Sequence, residues 1–248
     1  MLHGWALHGG VFAPLAGALA AGAAVTCPDL PGHGGRPFAP AFRDLGELAD
    51  AVERDLPARC TLLGWSLGGM VAACLAARGC TAIERLVLVD TTPRFVAGAG
   101  WPHGLPPVDV EAFAVALRQD YRRLVSRFLA LQVRGDARQS DLLRQLRSEV
   151  FTRGEPDPDA LAAGLDVLRR ADLRQAVGGI AVPTLVVCGQ NDRLTPPAAA
   201  SWLAGHIPGA SLESVAGAGH APFLSRPAAV AAAIRRFLGG DAARRESA

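Results

Sequence analysis

The segment Gly64-Trp65-Ser66-Leu67-Gly68 leaves this chain few ways to fold. It follows a short apolar run, Cys60 to Leu63, and leads into Gly68 to Ala77, a stretch of small residues suited to a helix. A strand that becomes a helix within so few residues must turn sharply. Glycines on both sides of the serine permit that turn and leave the hydroxyl raised at the carboxyl end of the strand. The backbone N–H of Leu67 then lies at a helix N-terminus, where unpaired amides favour a negative oxygen. A plain glycine turn is the alternative reading of these five residues. The strand before and the helix after them favour a nucleophilic serine.

The rest of the chain repeats the alternation. Strand-like runs are Ala24 to Cys27, Glu84 to Val89, Thr184 to Cys188 and Leu212 to Val215. Helical spacing marks Leu45 to Leu56, Ala198 to Leu203 and Ala228 to Leu238. Alternating strands and helices imply crossover connections and a parallel sheet, so the expected class is α/β. The rhythm breaks between Thr91 and about Val182, where helices are expected over Val110 to Gln132, Ser140 to Val150 and Asp159 to Arg169, with Asp157 or Asp159 capping the last. The division expected is therefore a core of residues 1–93 and 183–248 with a helical lid inserted at 94–182. Gly239 to Ala248 reads as a frayed polar tail.

Composition narrows the function classes. Half of the 248 residues are hydrophobic and the net charge is +2, which excludes a disordered polyampholyte and gives no general case for nucleic acid. No apolar run approaches the roughly 18 residues of a membrane span, and no basic segment precedes an apolar one at the start. A cytoplasmic monomer without membrane attachment is expected. Every cation among the 25 Lys and Arg residues is Arg. Cys27, Cys60, Cys74, Cys80 and Cys188 show no metal-ligand spacing and read as reduced, mostly buried thiols; no metal and no cofactor is expected.

A serine nucleophile needs a base and a carboxylate to orient that base. Among the six histidines, His220 follows a strand across Ala216-Gly217-Ala218-Gly219, small residues that let a loop reach the serine. His8, His33 and His103 sit in loops, and His206 at a surface-like helix end. Asp192 follows the strand Thr184–Cys188 and completes the chain order Ser, Asp, His. Asp90, at the end of Glu84 to Val89, is the competing acid, although capping the turn Thr91-Thr92-Pro93 is its more natural use. Near the start, His3-Gly4-Trp5 resembles the HG motif that supplies a second oxyanion donor; that resemblance implies the N–H of Trp5 as the donor with the indole lining a pocket, and the plainer reading is an apolar anchor only. Asp29-Leu30-Pro31-Gly32-His33-Gly34 is read as architectural.

These residues resemble the α/β-hydrolase family and, within it, the pimeloyl-[acyl-carrier-protein] methyl ester esterases of biotin synthesis. The narrower resemblance rests on His3-Gly4-Trp5, Gly64 to Gly69, Phe128-Leu129-Ala130-Leu131-Gln132, Gly164-Leu165-Asp166-Val167-Leu168, Asp172-Leu173-Arg174 and His220-Ala221-Pro222-Phe223. It runs from His3 to about Leu238, and the lid segment Phe128–Gln132 discriminates most, since triad motifs serve many specificities. The resemblance implies Ser66 as nucleophile, His220 as base, Asp192 as orienter, and an oxyanion hole from Trp5 and Leu67. It also implies that Phe128, Leu129, Ala130, Leu131 and Gln132 line a channel for the pimeloyl chain. The reaction implied is removal of a methyl ester from pimeloyl-acyl carrier protein.

An acidic carrier calls for a basic docking face. Arg123 and Arg127 lie four apart, on one side of a helix just before Phe128; Arg118 and Arg122 form a similar pair, and Arg134, Arg138, Arg144 and Arg147 continue the series. A solvated face of an Arg-rich protein is the plainer reading. The family carries a further stretch of chain before His-Gly-Trp that forms early strands. Only Met1 and Leu2 precede it here, so either Met1 is not the true start or the early strands are missing, and the second alternative implies a bare sheet edge and a poorly held Trp5. A broad-specificity short-chain esterase or thioesterase, and an inactive hydrolase that only binds, are the competing functions.

Overall fold

The inner residues of three apolar runs set the architecture. Leu62 to Trp65, Leu86 to Val89 and all of Thr184–Gly189 are buried, as strands covered on both faces must be. In the computed structural model, which describes residues 1–39 and 41–245, they belong to β1 (Cys60–Trp65), β2 (Ile83–Val89) and β3 (Thr184–Gly189). With β4 (Ser211–Val215) they form one parallel sheet in the order β1-β2-β3-β4. The register sets Trp65 beside Val89, Val89 beside Val187 and Gly189 beside Val215, so the carboxyl ends of all four strands lie side by side. The helices α3 (Leu67–Ala77), α8 (Pro197–His206) and α10 (Pro227–Arg245) pack against this sheet, α2 (Leu45–Glu53) packs on α3, and α1 (Ala13–Leu19) and the short α9 (Pro222–Ser225) pack on α10 and on each other. No helix among the described residues is long and apolar enough to cross a membrane.

Between β2 and β3 lie four helices and no strand of the sheet: α4 (Pro107–Gln119), α5 (Tyr121–Gln132), α6 (Gln139–Glu149) and α7 (Pro158–Arg170). The helical stretch expected over Val110 to Gln132 is two helices. Asp120 breaks it at φ −159° and ψ 90°, and its carboxylate accepts the Arg123 N–H at 3.0 Å. Such an N-cap contributes about 1 kcal/mol, enough to fix the boundary in a stretch whose propensity favours continuation. Arg118 and Arg122 therefore stand on different helices and are not a pair four apart on one face. Asp157 caps α7 by accepting the N–H groups of Asp159 and Ala160.

Two further expectations change. Ala24 to Cys27 is no strand: the edge of β1 is occupied by Leu2, which donates to Leu63 O at 2.8 Å and accepts from Trp65 N at 3.0 Å. Thr26 O is left with the amino group of Met1, 2.6 Å away, and a single bond makes no ladder. Beside this edge a cavity of about 640 Å³ opens, lined by Leu2, Val25, Leu56, Leu62, Ile234 and Leu238 among others. Gly239 to Arg245, read as part of a frayed tail, continue α10, and residues 246–248 lie outside the described residues. All five cysteines are free; Cys74 and Cys188 are buried and the other three half-buried.

Candidate active site

Ser66 joins β1 to α3 at φ +55° and ψ −120°, a left-handed conformation that L-residues adopt only when their surroundings force it. The force comes from main-chain bonds on both sides. Ser66 N–H donates to Val89 O at 3.1 Å, and Ser66 O accepts from Gly69 N, Met70 N and the Thr91 hydroxyl, the last at 2.7 Å. The turn is tight enough that a Cβ on Gly64 would sit 2.3 Å from Gly68 O, and one on Gly68 would sit 2.4 Å from Leu2 O. Neither backbone can retreat, so both positions require glycine.

Asp192, in the turn after β3, and His220, after β4, are buried and meet: Nδ1 of His220 lies 2.8 Å from Asp192 Oδ2. Asp192 Oδ1 accepts the N–H groups of Leu194 (2.8 Å) and Thr195 (3.1 Å), and Oδ2 also accepts the Thr195 hydroxyl at 2.6 Å. Burial alone would push this carboxyl upward. The His220 charge and the bonds from His220, Thr195 and Leu194 outweigh it and hold Asp192 below the ordinary carboxylate range. Nδ1 of His220 therefore carries the proton donated to Asp192. The opposite ring atom, Nε2, is buried with no hydrogen-bond partner among the described residues. Trp65, the neighbour of Ser66, donates its indole N–H to His220 O at 2.7 Å and ties the two loops together.

The His3-Gly4-Trp5 turn lies directly against the serine, since a Cβ on Gly4 would stand 3.2 Å from Ser66 Cβ. His3 is fully buried; its Nδ1 donates to Gly4 O and its Nε2 accepts the Leu30 N–H, both at 2.8 Å. Burial, and then the neighbouring His33, hold its imidazole well below the usual histidine range, so His3 is a neutral strut. The expectation of a poorly held Trp5 is not met. Its side chain is 1% exposed, its indole N–H donates to Leu161 O on α7 at 2.9 Å, and its ring meets Phe128 of α5 edge-on at 5.0 Å. The N–H groups of Trp5 and Leu67 donate to no other group among the described residues. Both remain free to bind an oxyanion.

Phe128, Leu129 and Gln132 are buried, while Ala130 and Leu131 are half-buried. A helix advances about 100° per residue, so the five do not share one face, and Phe128 is the one packed on Trp5. Arg123, Arg127 and Arg138 are exposed, and none has a carboxylate partner among the described residues. By contrast, Arg122 pairs with Glu155, and Arg144 with Asp141. Asp90 does not cap the turn of Thr91 to Pro93; its Oδ1 accepts the Gly189 N–H at 2.8 Å.

The sequence of the alpha/beta hydrolase family matches residues 1–233, nearly the whole chain. The chain belongs to that family. Among curated relatives of this hydrolase, one from Xanthomonas axonopodis pv. citri is 43% identical over 243 residues, 96% of this chain and 93% of its own length. Others from Chromobacterium violaceum (43% over 225 residues, 91% of this chain and 87% of the relative) and Nitrosomonas europaea (40% over 227 residues, 92% and 90%) are similar over nearly as much. Each is named pimeloyl-[acyl-carrier protein] methyl ester esterase. Among solved structures, an esterase from Exiguobacterium antarcticum has the same fold, with TM-score 0.84 and 24% identity over 95% of this hydrolase and 90% of that chain. A hydrolase from Pseudomonas aeruginosa gives TM-score 0.81 at 26% identity over 96% and 88%.

Several residues around the hydrolase site escaped the sequence reading. Thr195 braces Asp192 with both its N–H and its hydroxyl; the signal was local, an Asp followed three residues later by Thr in a turn. Gly164 on α7 faces Trp5, and a Cβ there would sit 2.9 Å from Trp5 Cδ1. The link after α5 grips both loops: Gln132 O accepts His220 N, Asp136 Oδ2 accepts Gly219 N, and Gly135 O accepts the Asn191 side chain. These contacts join residues distant in the chain and leave no periodic trace in it. No group of three His, Cys, Asp or Glu side chains is gathered as metal ligands would be among the described residues.

Proposed function

We propose that this hydrolase removes the methyl group from pimeloyl-[acyl-carrier protein] methyl ester, releasing the carboxylate for biotin synthesis. The observation that carries the reading is 40–43% identity, over 91–96% of the chain, to relatives that bear that name. Ser66 attacks the ester carbonyl while His220 Nε2 takes its proton, and the N–H groups of Trp5 and Leu67 receive the negative oxygen. Protonated Nε2 then gives its proton to the departing methoxide, so methanol leaves and the acyl group stays on Ser66. Water, activated by the same nitrogen, hydrolyses that acyl-enzyme. Asp192 holds the Nδ1 proton throughout and stabilises the imidazolium. Phe128, which packs on Trp5, flanks the acyl chain, and the reaction proceeds in the cytoplasm on a monomer.

The experiment that tests this is a comparison of kcat/KM for the carrier-bound ester and for free dimethyl pimelate. The reading expects the carrier-bound ester to be preferred by a factor of about a hundred or more, because docking on the carrier supplies binding energy that the free ester lacks. Equal values would make the enzyme a broad short-chain esterase.

The unpaired arginines give a second prediction. Reversing Arg123 and Arg127 together to Glu should lower kcat/KM for the carrier-bound ester by about tenfold or more and leave the free ester within about twofold, since the face steers an acidic carrier and touches no reacting atom. Raising the salt concentration should weaken the parent enzyme in the same selective way. Loss on both esters would place these arginines in the fold or the site instead.

Gly164 gives a third. Gly164→Ala should lower thermal stability, because pushing the buried Trp5 indole off Leu161 O and Phe128 costs about 1–3 kcal/mol, more than the roughly 1 kcal/mol that alanine gains as a helix former. It should also lower kcat for p-nitrophenyl acetate by about tenfold in protein that is still folded, because the new methyl displaces the Trp5 indole and with it the oxyanion N–H. An unchanged kcat would show that the position of Trp5 does not matter to the chemistry.

A further inference from the structure

Three non-glycine residues in the described structure have positive φ: Ala6 at 64°, Ser66 at 55° and Asp90 at 38°. Ala6 follows Trp5 in the oxyanion turn and Ser66 is the nucleophile. Asp90 is the third, and the mechanism above gives it no task. Strain of this kind persists where the surroundings hold a residue in place for a purpose. Asp90 stands at the carboxyl end of β2 between two residues that grip the serine: Val89 accepts the Ser66 N–H and Thr91 donates to Ser66 O. Its own N–H donates to Val187 O at 2.9 Å.

The side chain is as constrained as the backbone. Asp90 is 1% exposed; Oδ1 accepts the Gly189 N–H, and Oδ2 is buried with no hydrogen-bond partner among the described residues. Asp192 binds the same residue, its N–H donating to Gly189 O at 3.2 Å, and the Asp192 charge acts on the Asp90 carboxyl. Two buried carboxyls that act on each other in this way do not both stay ionised; they share one proton. The surroundings decide which keeps it. Asp192 accepts from Leu194, twice from Thr195 and from His220, whereas Asp90 accepts from Gly189 alone.

We propose that Asp90 is a positioning residue: a neutral carboxyl whose O–H donates to the Asp192 carboxylate and holds it square to His220. Burial, and then the Asp192 charge, push Asp90 well above the ordinary carboxylate range, in keeping with that state. The titratable groups that face it are Asp192 in the turn after β3, the Cys188 thiol on β3, pushed up to about 11 by burial and then by Asp90, and, across Asp192, His220. A neutral donor fixes the orienting carboxylate without placing a second negative charge beside the catalytic imidazole.

The proposal rests on the reading of Ser66, Asp192 and His220, and its test separates the two. Asp90→Asn and Asp90→Ala are compared with the parent on p-nitrophenyl acetate, each as a pH profile of kcat/KM, with Ser66→Ala alongside and folding checked by thermal melting. Asparagine can still donate to Asp192, so Asp90→Asn should keep kcat within about threefold and leave the acidic limb of the profile in place. Alanine cannot donate, so Asp90→Ala should lose about tenfold or more in kcat at little change in KM, and its acidic limb should move upward as Asp192 becomes more basic. If the acidic limb of Asp90→Asn instead moves down by about a unit or more, Asp90 is ionised in the parent and the proposal is wrong. If Asp90→Ala matches the parent in kcat and pH profile, or loses activity only in step with its melting temperature, Asp90 has no positioning role. Parent-rate hydrolysis by Ser66→Ala would overturn the triad itself, whatever the Asp90 variants do.

Discussion

Ser66→Ala should fold like the parent and lose about 10⁴-fold or more in kcat on any ester. The turn that holds Ser66 is built from main-chain bonds to Val89, Gly69 and Met70 and from the Thr91 hydroxyl donating to Ser66 O, none of which uses the Ser66 side chain. Alanine tolerates the positive φ no worse than serine does, so the melting temperature should move by no more than about 2 °C. The residual rate should be that of an oxyanion hole and a binding site acting on water without a nucleophile. Purified Ser66→Ala cleaving p-nitrophenyl acetate at the parent rate would place the nucleophile elsewhere.

Asp192→Asn is the second large effect, and it arises from a single proton. In the parent, Asp192 Oδ2 accepts from Nδ1 of His220 and also from the Thr195 hydroxyl. Leu194 and Thr195 supply two N–H donors to Oδ1, so an asparagine there must place its carbonyl on that side and its NH₂ toward His220. The amide then donates to Nδ1, the histidine proton shifts to Nε2, and the imidazole cannot accept the serine proton. The expected loss is about 10⁴-fold in kcat, with KM nearly unchanged and partial recovery at high pH. A loss under about tenfold would show that the carboxylate does not set the histidine tautomer.

Much of the fold could be read from the chain because its signals are local. Leu62 to Trp65, Leu86 to Val89 and Leu185 to Gly189 carry no charged residue and are buried, and strands covered on both faces need no more than such a run to be recognised. Gly64 and Gly68 are legible for the same reason, since a backbone passing within 2.4 Å of where a Cβ would be leaves one residue type. Ala24 to Cys27 misleads because a strand is made by its partner, and Leu2 holds that edge. The break at Asp120 depends on one capping side chain inside an otherwise continuous helical pattern, which periodicity alone cannot see. Around the site, Ser66, Asp192 and His220 stand out by type and chain order. Of the groups around them, Thr195 acts locally, three residues after Asp192, while His3, Asp136 and Gly164 act through contacts across the fold, on Leu30, Gly219 and Trp5. The hydrogen bonds that Gln132, Gly135 and Asp136 accept from His220 N, the Asn191 side chain and Gly219 N are the clearest instance, because they link the segment at the end of α5 to residues far along the chain.

The central claim is that a covalent bond to Ser66 Oγ lies on the reaction path. Treating the enzyme with diethyl p-nitrophenyl phosphate and mapping the adduct by peptide mass spectrometry tests it directly. One diethylphosphoryl group on the peptide containing Ser66, appearing in step with loss of activity and missing from Ser66→Ala, is the predicted result. Full inactivation with Ser66 unmodified, or an adduct on another residue that tracks the loss, would contradict it.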